Sequence, residues 1–271
     1  RLSGLPDRRG YVTEVFCERS RYFHPDNGMR IDAIRQGIDD HYADHPLRPV
    51  LLTALLEAAD RVDSTVGLQM AYLKDWAPRA LSPLRLVAPE LTPGTGRAVR
   101  GDALTLAPTL DPVGLAYLDP PYNQHRYFTN YHVWETLVAW DAPEHYGVAC
   151  KRVDARDPAT KSVFNAKRAM PDALRSVIAA VDARLLVLSY NDESWLGLDE
   201  LVEACAPRGR VAVLAFDSKR YVGAQIGIHS PAGERVGEVS HLRNLEYVLV
   251  AGATADVDRA VAGHELAVVS S

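Results

Sequence analysis

Two patterns of apolar spacing divide this chain. Up to about residue 95 the apolar positions recur at helical intervals. After His24-Pro25-Asp26-Asn27, residues Met29, Ile31, Ile34 and Ile38 fall near one face of a helix, and Asp26 or Asn27 is placed to cap it. Asn27-Gly28 is a hairpin signal, but no alternating strand follows, so the helical reading prevails. Pro49 opens a second helix to about residue 63, with Leu51, Leu52, Leu55, Leu56, Ala59 and Val62 forming a wide apolar face. Ser64-Thr65-Val66-Gly67 breaks it, a short helical segment is expected at 70–76, and Pro83, Pro89 and Pro93 mark an irregular connection.

Beyond that connection, short apolar runs alternate with amphipathic stretches. Strands are expected at 98–100, 113–118, 185–189, 211–216 and 245–250, and helices at 131–140, 171–182 and 198–206. This alternation predicts an α/β fold with a Rossmann-like, mostly parallel sheet, preceded by a helical insertion. Residues 219–243, rich in Gly, Ser and charge, read as a loop or a hairpin. The expected organisation is therefore a helical segment at 1–95, an α/β portion at 96–253 and a tail or frayed helix at 254–271.

A chain of 271 residues with 47% apolar content is long enough for one large domain or two small ones. No apolar run approaches the length that spans a bilayer, so no membrane partner is expected. Cys17, Cys150 and Cys205 are isolated thiols without metal-ligand spacing; they read as small buried hydrophobes, suit a reducing cytoplasm and predict no metal site. The net charge of −5 argues against a general coat of positive charge, but not against a local cleft for phosphates. Arg19/Arg21, Lys151/Arg152, Lys167/Arg168 and Lys219/Arg220 are the candidate clusters, although such pairs more often sit on a solvated face.

The most informative chemistry is Asp119-Pro120-Pro121-Tyr122, directly after the apolar run 113–118. Two prolines cannot continue a sheet ladder, so the strand must stop there. That leaves a carboxylate, a stiff turn and an aromatic ring at the carboxyl edge of a strand, where open α/β sheets bind ligands. The set suits the exocyclic amine of a flat base. Asp119 accepts one N–H, the Pro120 carbonyl accepts a second, and the Tyr122 ring stacks on the base, a contact worth roughly 1–3 kcal/mol. By itself the tetrapeptide is equally compatible with a plain strand-to-turn junction.

Its surroundings narrow the choice. The motif, with the whole stretch 117–137, resembles the alpha-class adenine-specific DNA methyltransferases of restriction–modification systems. Arg30-Ile31-Asp32-Ala33-Ile34-Arg35, Ala71-Tyr72-Leu73-Lys74, Ser189-Tyr190-Asn191 and Glu246-Tyr247-Val248-Leu249-Val250 are similar to the same family. The resemblance implies methyl transfer from S-adenosylmethionine to an adenine flipped out of double-stranded DNA. It implies catalytic roles for Asp119, Pro120, Pro121 and Tyr122, and cofactor contacts for Asp102 and Asp119. Asp102, in Gly101-Asp102-Ala103-Leu104, looks like the family's acidic contact to the cofactor adenine, and reads equally as a turn residue. Substrate contacts are expected from Tyr122, Asn123, Arg126, Tyr131, Ser189 and Asn191. Cytosine amino-methylation is the nearest alternative, and a catalytically inert fragment or interaction module is a third.

The chain departs from the family at its front. The Gly-rich cofactor loop and the following ribose-binding acid are not found, and Pro93-Gly94-Thr95-Gly96 lacks the strand–loop–helix context such a loop needs. The expectation is a carboxyl-terminal portion that requires an amino-terminal half or a partner chain. Alone, it is expected not to bind S-adenosylmethionine measurably, and to self-associate through an open sheet edge near 113–118.

Overall fold

The computed structural model describes residues 1–219 and 243–265. In chain order the elements are α1 (Pro25–Tyr42), α2 (Arg48–Asp60), α3 (Ala103–Leu106), β1 (Val113–Leu118), α4 (Tyr127–Asn130), α5 (His132–Ala139), β2 (His145–Tyr146), β3 (Lys151–Arg152), α6 (Met170–Ala180), β4 (Ala183–Asn191), α7 (Leu198–Cys205), β5 (Arg210–Lys219), β6 (Arg243–Gly252) and α8 (Thr254–Ala260). They fall into two compact units, Arg1–Thr95 with Tyr127–Thr160, and Gly96–Arg126 with Lys161–Ser271. The sequence reading keeps 96–253 together. In the structure Tyr127–Thr160 joins the amino-terminal helices instead.

The reason lies in α5. Its first amides are capped by a remote side chain, Gln69, whose Oε1 accepts from the Val133 amide at 2.9 Å. Its last carbonyls are capped by Arg35, whose Nε donates to the Leu137 carbonyl at 2.6 Å and whose Nη2 donates to the Val138 carbonyl at 3.2 Å. Arg35 is fully buried; Asp39, 2.7 Å away on α1, balances its charge. Neither cap is local, and Val133 and Leu137 add core packing in the same unit.

In this first unit α1 begins on Pro25 and carries Ile31, Ile34 and Ile38 into the core beside Leu52, Leu55, Ala58 and Ala59 of α2. Asn27-Gly28 is helical rather than a hairpin turn, but neither Asp26 nor Asn27 caps α1: the helix already begins on Pro25 with His24 at the cap position, and Nδ2 of Asn27 donates instead to the carbonyls of Ala80 and Ser82 at 2.9 Å. A Cβ at Gly28 would collide with Sγ of Cys17, so the glycine allows close approach of α1 to the π-helical turn Val12–Glu18. The buried carboxylate of Asp32 caps that turn, accepting from the amides of Gly10, Val12 and Thr13 and from the Thr13 hydroxyl at 2.6–3.0 Å. His132 is also buried. Its Nε2 lies 3.0 Å from the Gln69 carbonyl and 3.2 Å from the Tyr22 hydroxyl. Burial pushes its pKa down to about 4. The helix expected at 70–76 is absent; those residues are irregular, with a bend at 74–75.

The second unit is a four-stranded sheet in the order β1-β4-β6-β5. β1 pairs parallel to β4, while β6 pairs antiparallel to both β4 and β5. Three strands therefore share a direction and β6 is inserted against them. The α/β class holds, but only one of the three pairings is parallel, so the sheet is mixed. A parallel return needs a crossover, which α6 supplies before β4. α6 and α7 cover one face, packing Met170, Leu174, Ile178, Leu201 and Cys205 on Leu186, Leu188, Tyr190 and Leu249. α8 covers part of the other face through Val257, in the region expected to be a tail. The strand expected at 98–100 does not form; those residues are exposed and, among the described residues, have no strand beside them, so water takes their backbone groups. Among the described residues β1 has β4 as its only neighbour, and Leu115 and Tyr117 are more than half exposed. The loop-or-hairpin expectation for 219–243 and the Lys219/Arg220 cluster lie essentially outside the described residues.

Candidate active site

Parallel pairing of β1 with β4, with Leu118 opposite Leu188, brings two carboxyl-terminal segments to one sheet edge. The first is Asp119-Pro120-Pro121-Tyr122 and the second is Ser189-Tyr190-Asn191. The strand stops at Leu118, where the prolines require it to. Asp119 is exposed and Tyr122 half-buried. The Tyr122 hydroxyl donates to Oδ1 of Asp119 at 2.7 Å and lies 3.2 Å from Oγ of Ser189. The Tyr122 ring packs on Tyr190 with centroids 4.8 Å apart and planes tilted by 58°. Its carbonyl accepts from the Trp195 amide at 3.4 Å. Burial, above all, raises the phenol pKa well beyond its ordinary value. Tyr122 is thus a hydrogen-bonded, supported ring rather than a free aromatic plate.

Beside Asp119 lies a cavity of about 240 Å³, lined by Ala103, Tyr117, Leu118, Asp119, Pro120, Pro121, Phe164, Leu174 and Val177. It is almost wholly apolar, and Asp119 is its charged member. Asp102, one residue before Ala103, caps α3 by accepting from the Leu104 amide at 2.9 Å. The loop after the motif is pinned by a residue the sequence reading missed. Nδ2 of Asn165 donates to the carbonyls of Asn123 and His125 at 2.9 and 3.1 Å. Oδ1 of Asn123 accepts from the His125 amide at 2.9 Å, closing a tight turn. Arg126 ends this stretch of the second unit. Tyr131 belongs to the first unit, where it stacks on Tyr127 at 6.1 Å. Oδ1 of Asn191 is buried without a hydrogen-bond partner among the described residues.

The structure therefore gathers Asp119, Pro120, Pro121, Tyr122, Ser189 and Asn191 at one edge, and adds Phe164, Leu174 and Val177. The last two lie on a helix whose periodicity reads as core packing, and Phe164 stands in an irregular stretch with no distinguishing signal. A larger cavity of about 580 Å³ lies in the first unit around His24, Asn27 and Arg30, and contains no residue of Asp119–Tyr122. The three cysteines are buried. Among the described residues no group of His, Cys, Asp or Glu is arranged to hold a metal ion, and no helix is long and apolar enough to cross a membrane.

Residues 6–203 match the family described as D12 class N6 adenine-specific DNA methyltransferase. The chain belongs to this family. The match covers the stretch 117–137 and the segments at 30–35, 71–74 and 189–191 on which the resemblance rests, and stops before Glu246–Val250. Among its relatives, the type II methyltransferase M.NlaIII of Neisseria lactamica is 29% identical over 231 residues, which cover 82% of this chain and 67% of that protein. M.CviAII of Paramecium bursaria Chlorella virus 1 is 32% identical over 225 residues, 78% of this chain and 64% of the relative. M.FokI of Planomicrobium okeanokoites is 31% identical over 200 residues, 72% of this chain and 30% of the relative. The chain thus spans about two thirds of the length of the first two relatives and under a third of the last. No solved structure matches it.

Proposed function

We propose that the protein transfers a methyl group from S-adenosylmethionine to the exocyclic N6 amine of an adenine in double-stranded DNA. The observation that carries this reading is Asp119 at the carboxyl end of β1, lining an apolar cavity and bonded to Tyr122. An adenine amine is a poor nucleophile because its lone pair is delocalised into the ring. Two acceptors aimed at its hydrogens, the Asp119 carboxylate and the Pro120 carbonyl, favour a pyramidal nitrogen whose lone pair is free to attack. The base must leave the duplex to reach them, and the Tyr122 ring gives it a surface on which to stack. Family membership favours adenine over cytosine.

S-adenosylmethionine, when bound, supplies an electrophilic methyl group on a sulfonium. The lining of the cavity suits the flat, apolar part of such a cofactor, with Ala103, Phe164, Leu174 and Val177 as its wall and Asp102 adjacent in the chain. Asn123, Arg126, Tyr131 and Asn191 are the proposed DNA contacts. No covalent protein intermediate is required, and catalysis rests on positioning and electrostatics.

The test is methyl transfer from isotopically labelled S-adenosylmethionine to a DNA duplex, followed by mass spectrometry of the nucleosides. Label in N6-methyladenine is expected, and Asp119→Ala is expected to lower the rate by on the order of 10²-fold or more while cofactor affinity changes little. Label in N4-methylcytosine would move the reading to cytosine. A protein that binds both DNA and cofactor yet labels neither base would overturn it.

A further inference from the structure

We infer that Ser189 is a positioning residue that fixes the Asp119 carboxylate through the Tyr122 hydroxyl. This rests on the methyl-transfer reading above and adds a residue that acts without touching the substrate. An ionised carboxylate only accepts hydrogen bonds, so in the 2.7 Å contact Tyr122 is the donor and Asp119 the acceptor. The phenol has one proton, and that bond uses it. In the 3.2 Å contact the Ser189 hydroxyl is therefore the donor and the Tyr122 oxygen the acceptor. The chain of donation runs from Ser189 to Tyr122 to Asp119, and each bond polarises the next.

The geometry gives this relay a purpose. Asp119 is exposed, and an exposed carboxylate turns broadly about its terminal torsion. A bond from Tyr122 to Oδ1 restrains it and leaves Oδ2 for the amine. Tyr122 is in turn located by β4 and the loop that follows it, through Ser189, the Tyr190 ring and the Trp195 amide. Ser189 is the first residue beyond the last β1–β4 pair, so the sheet sets its position. The relay ties an exposed carboxylate to a strand held on both sides in the sheet.

The test uses the full-length enzyme with Ser189→Ala, Ser189→Thr, Tyr122→Phe and the double variant Ser189→Ala/Tyr122→Phe. Ser189→Ala is expected to lower kcat about five- to tenfold, the scale of one hydrogen bond, with KM for DNA and cofactor affinity unchanged. Ser189→Thr, which keeps the hydroxyl, should restore most of the rate. The double variant should be no slower than Tyr122→Phe alone. Additive losses, or a raised KM with unchanged kcat, would overturn the inference. Crystal structures of wild type and Ser189→Ala give a readout that needs no turnover. The Asp119 carboxylate should lose its single orientation, and a carboxylate still bonded to Tyr122 in its original place would refute the relay. A wild-type enzyme without methyl transfer would count against the functional proposal, and the structural comparison would still decide the relay.

Discussion

Tyr122 and Asp119 are joined by a 2.7 Å hydrogen bond across the two prolines that separate them. The turn that ends β1 thus folds its aromatic residue back onto its carboxylate. Under the proposed reaction a ring held at its hydroxyl would have two tasks, presenting a face to a base and restraining the acid.

The two tasks separate by mutation. Tyr122→Phe keeps the face and loses the restraint, so kcat should fall about tenfold with little change in KM. Tyr122→Ala loses both and should cost on the order of 10²-fold or more, with weaker DNA binding. Steady-state kinetics of the two variants check this; equal losses would remove the ring from base binding.

Phe164 should matter to the cofactor and not to DNA. Phe164→Leu keeps most of the buried volume but loses the flat wall, and is expected to weaken S-adenosylmethionine binding several-fold in calorimetry. KM for DNA should be unchanged. Unaltered cofactor affinity would take Phe164 out of that role.

His132 makes stability depend on pH. Its folded pKa, about 4, lies below the ordinary value of 6.5, so between these values the unfolded chain binds more protons. Its contribution is complete above pH 6.5 and is lost as pH falls toward 4. Urea unfolding should show a loss of about 2 kcal/mol between pH 7 and pH 5, from the integrated linkage of one such group. His132→Gln should flatten that slope even though it lowers stability at pH 7.

Gly28→Ala should destabilise the first unit by about 1–3 kcal/mol, because the new methyl meets Sγ of Cys17. Cys17→Ala removes the obstacle. In a double-mutant cycle the pair should then show favourable coupling, measured by thermal or urea unfolding. Strict additivity would mean that α1 and the 12–18 turn relax independently.

The sequence was most legible where structure is local. Residues 113–118 are a strand because an apolar run is cut by two prolines, and α1 and α2 follow from apolar spacing and proline starts. The shared edge of Asp119 and Ser189 follows once both strands are read as parallel. Less legible were features made by residues far apart in sequence. Gln69 and Arg35 cap α5 from 64 and 102 residues away, measured to Val133 and Leu137, and no short window contains those pairs. The place of β6 depends on pairing with two strands at once, which apolar spacing does not encode. Asp102 showed the reverse problem: its local pattern fits a cap and a cofactor contact equally, and the structure displays the cap.

The antiparallel insertion of β6 sets a timetable for biosynthesis. β4 and β5 are separated in the sheet by a strand that the ribosome makes after both of them. Until residue 252 has emerged, neither has its final neighbour on that side. The β1–β4 pair, carrying Asp119 and Ser189, can form early, but it must wait with an unfinished edge. Translation pauses before β6 has emerged should therefore favour capture by chaperones or pairing between nascent chains.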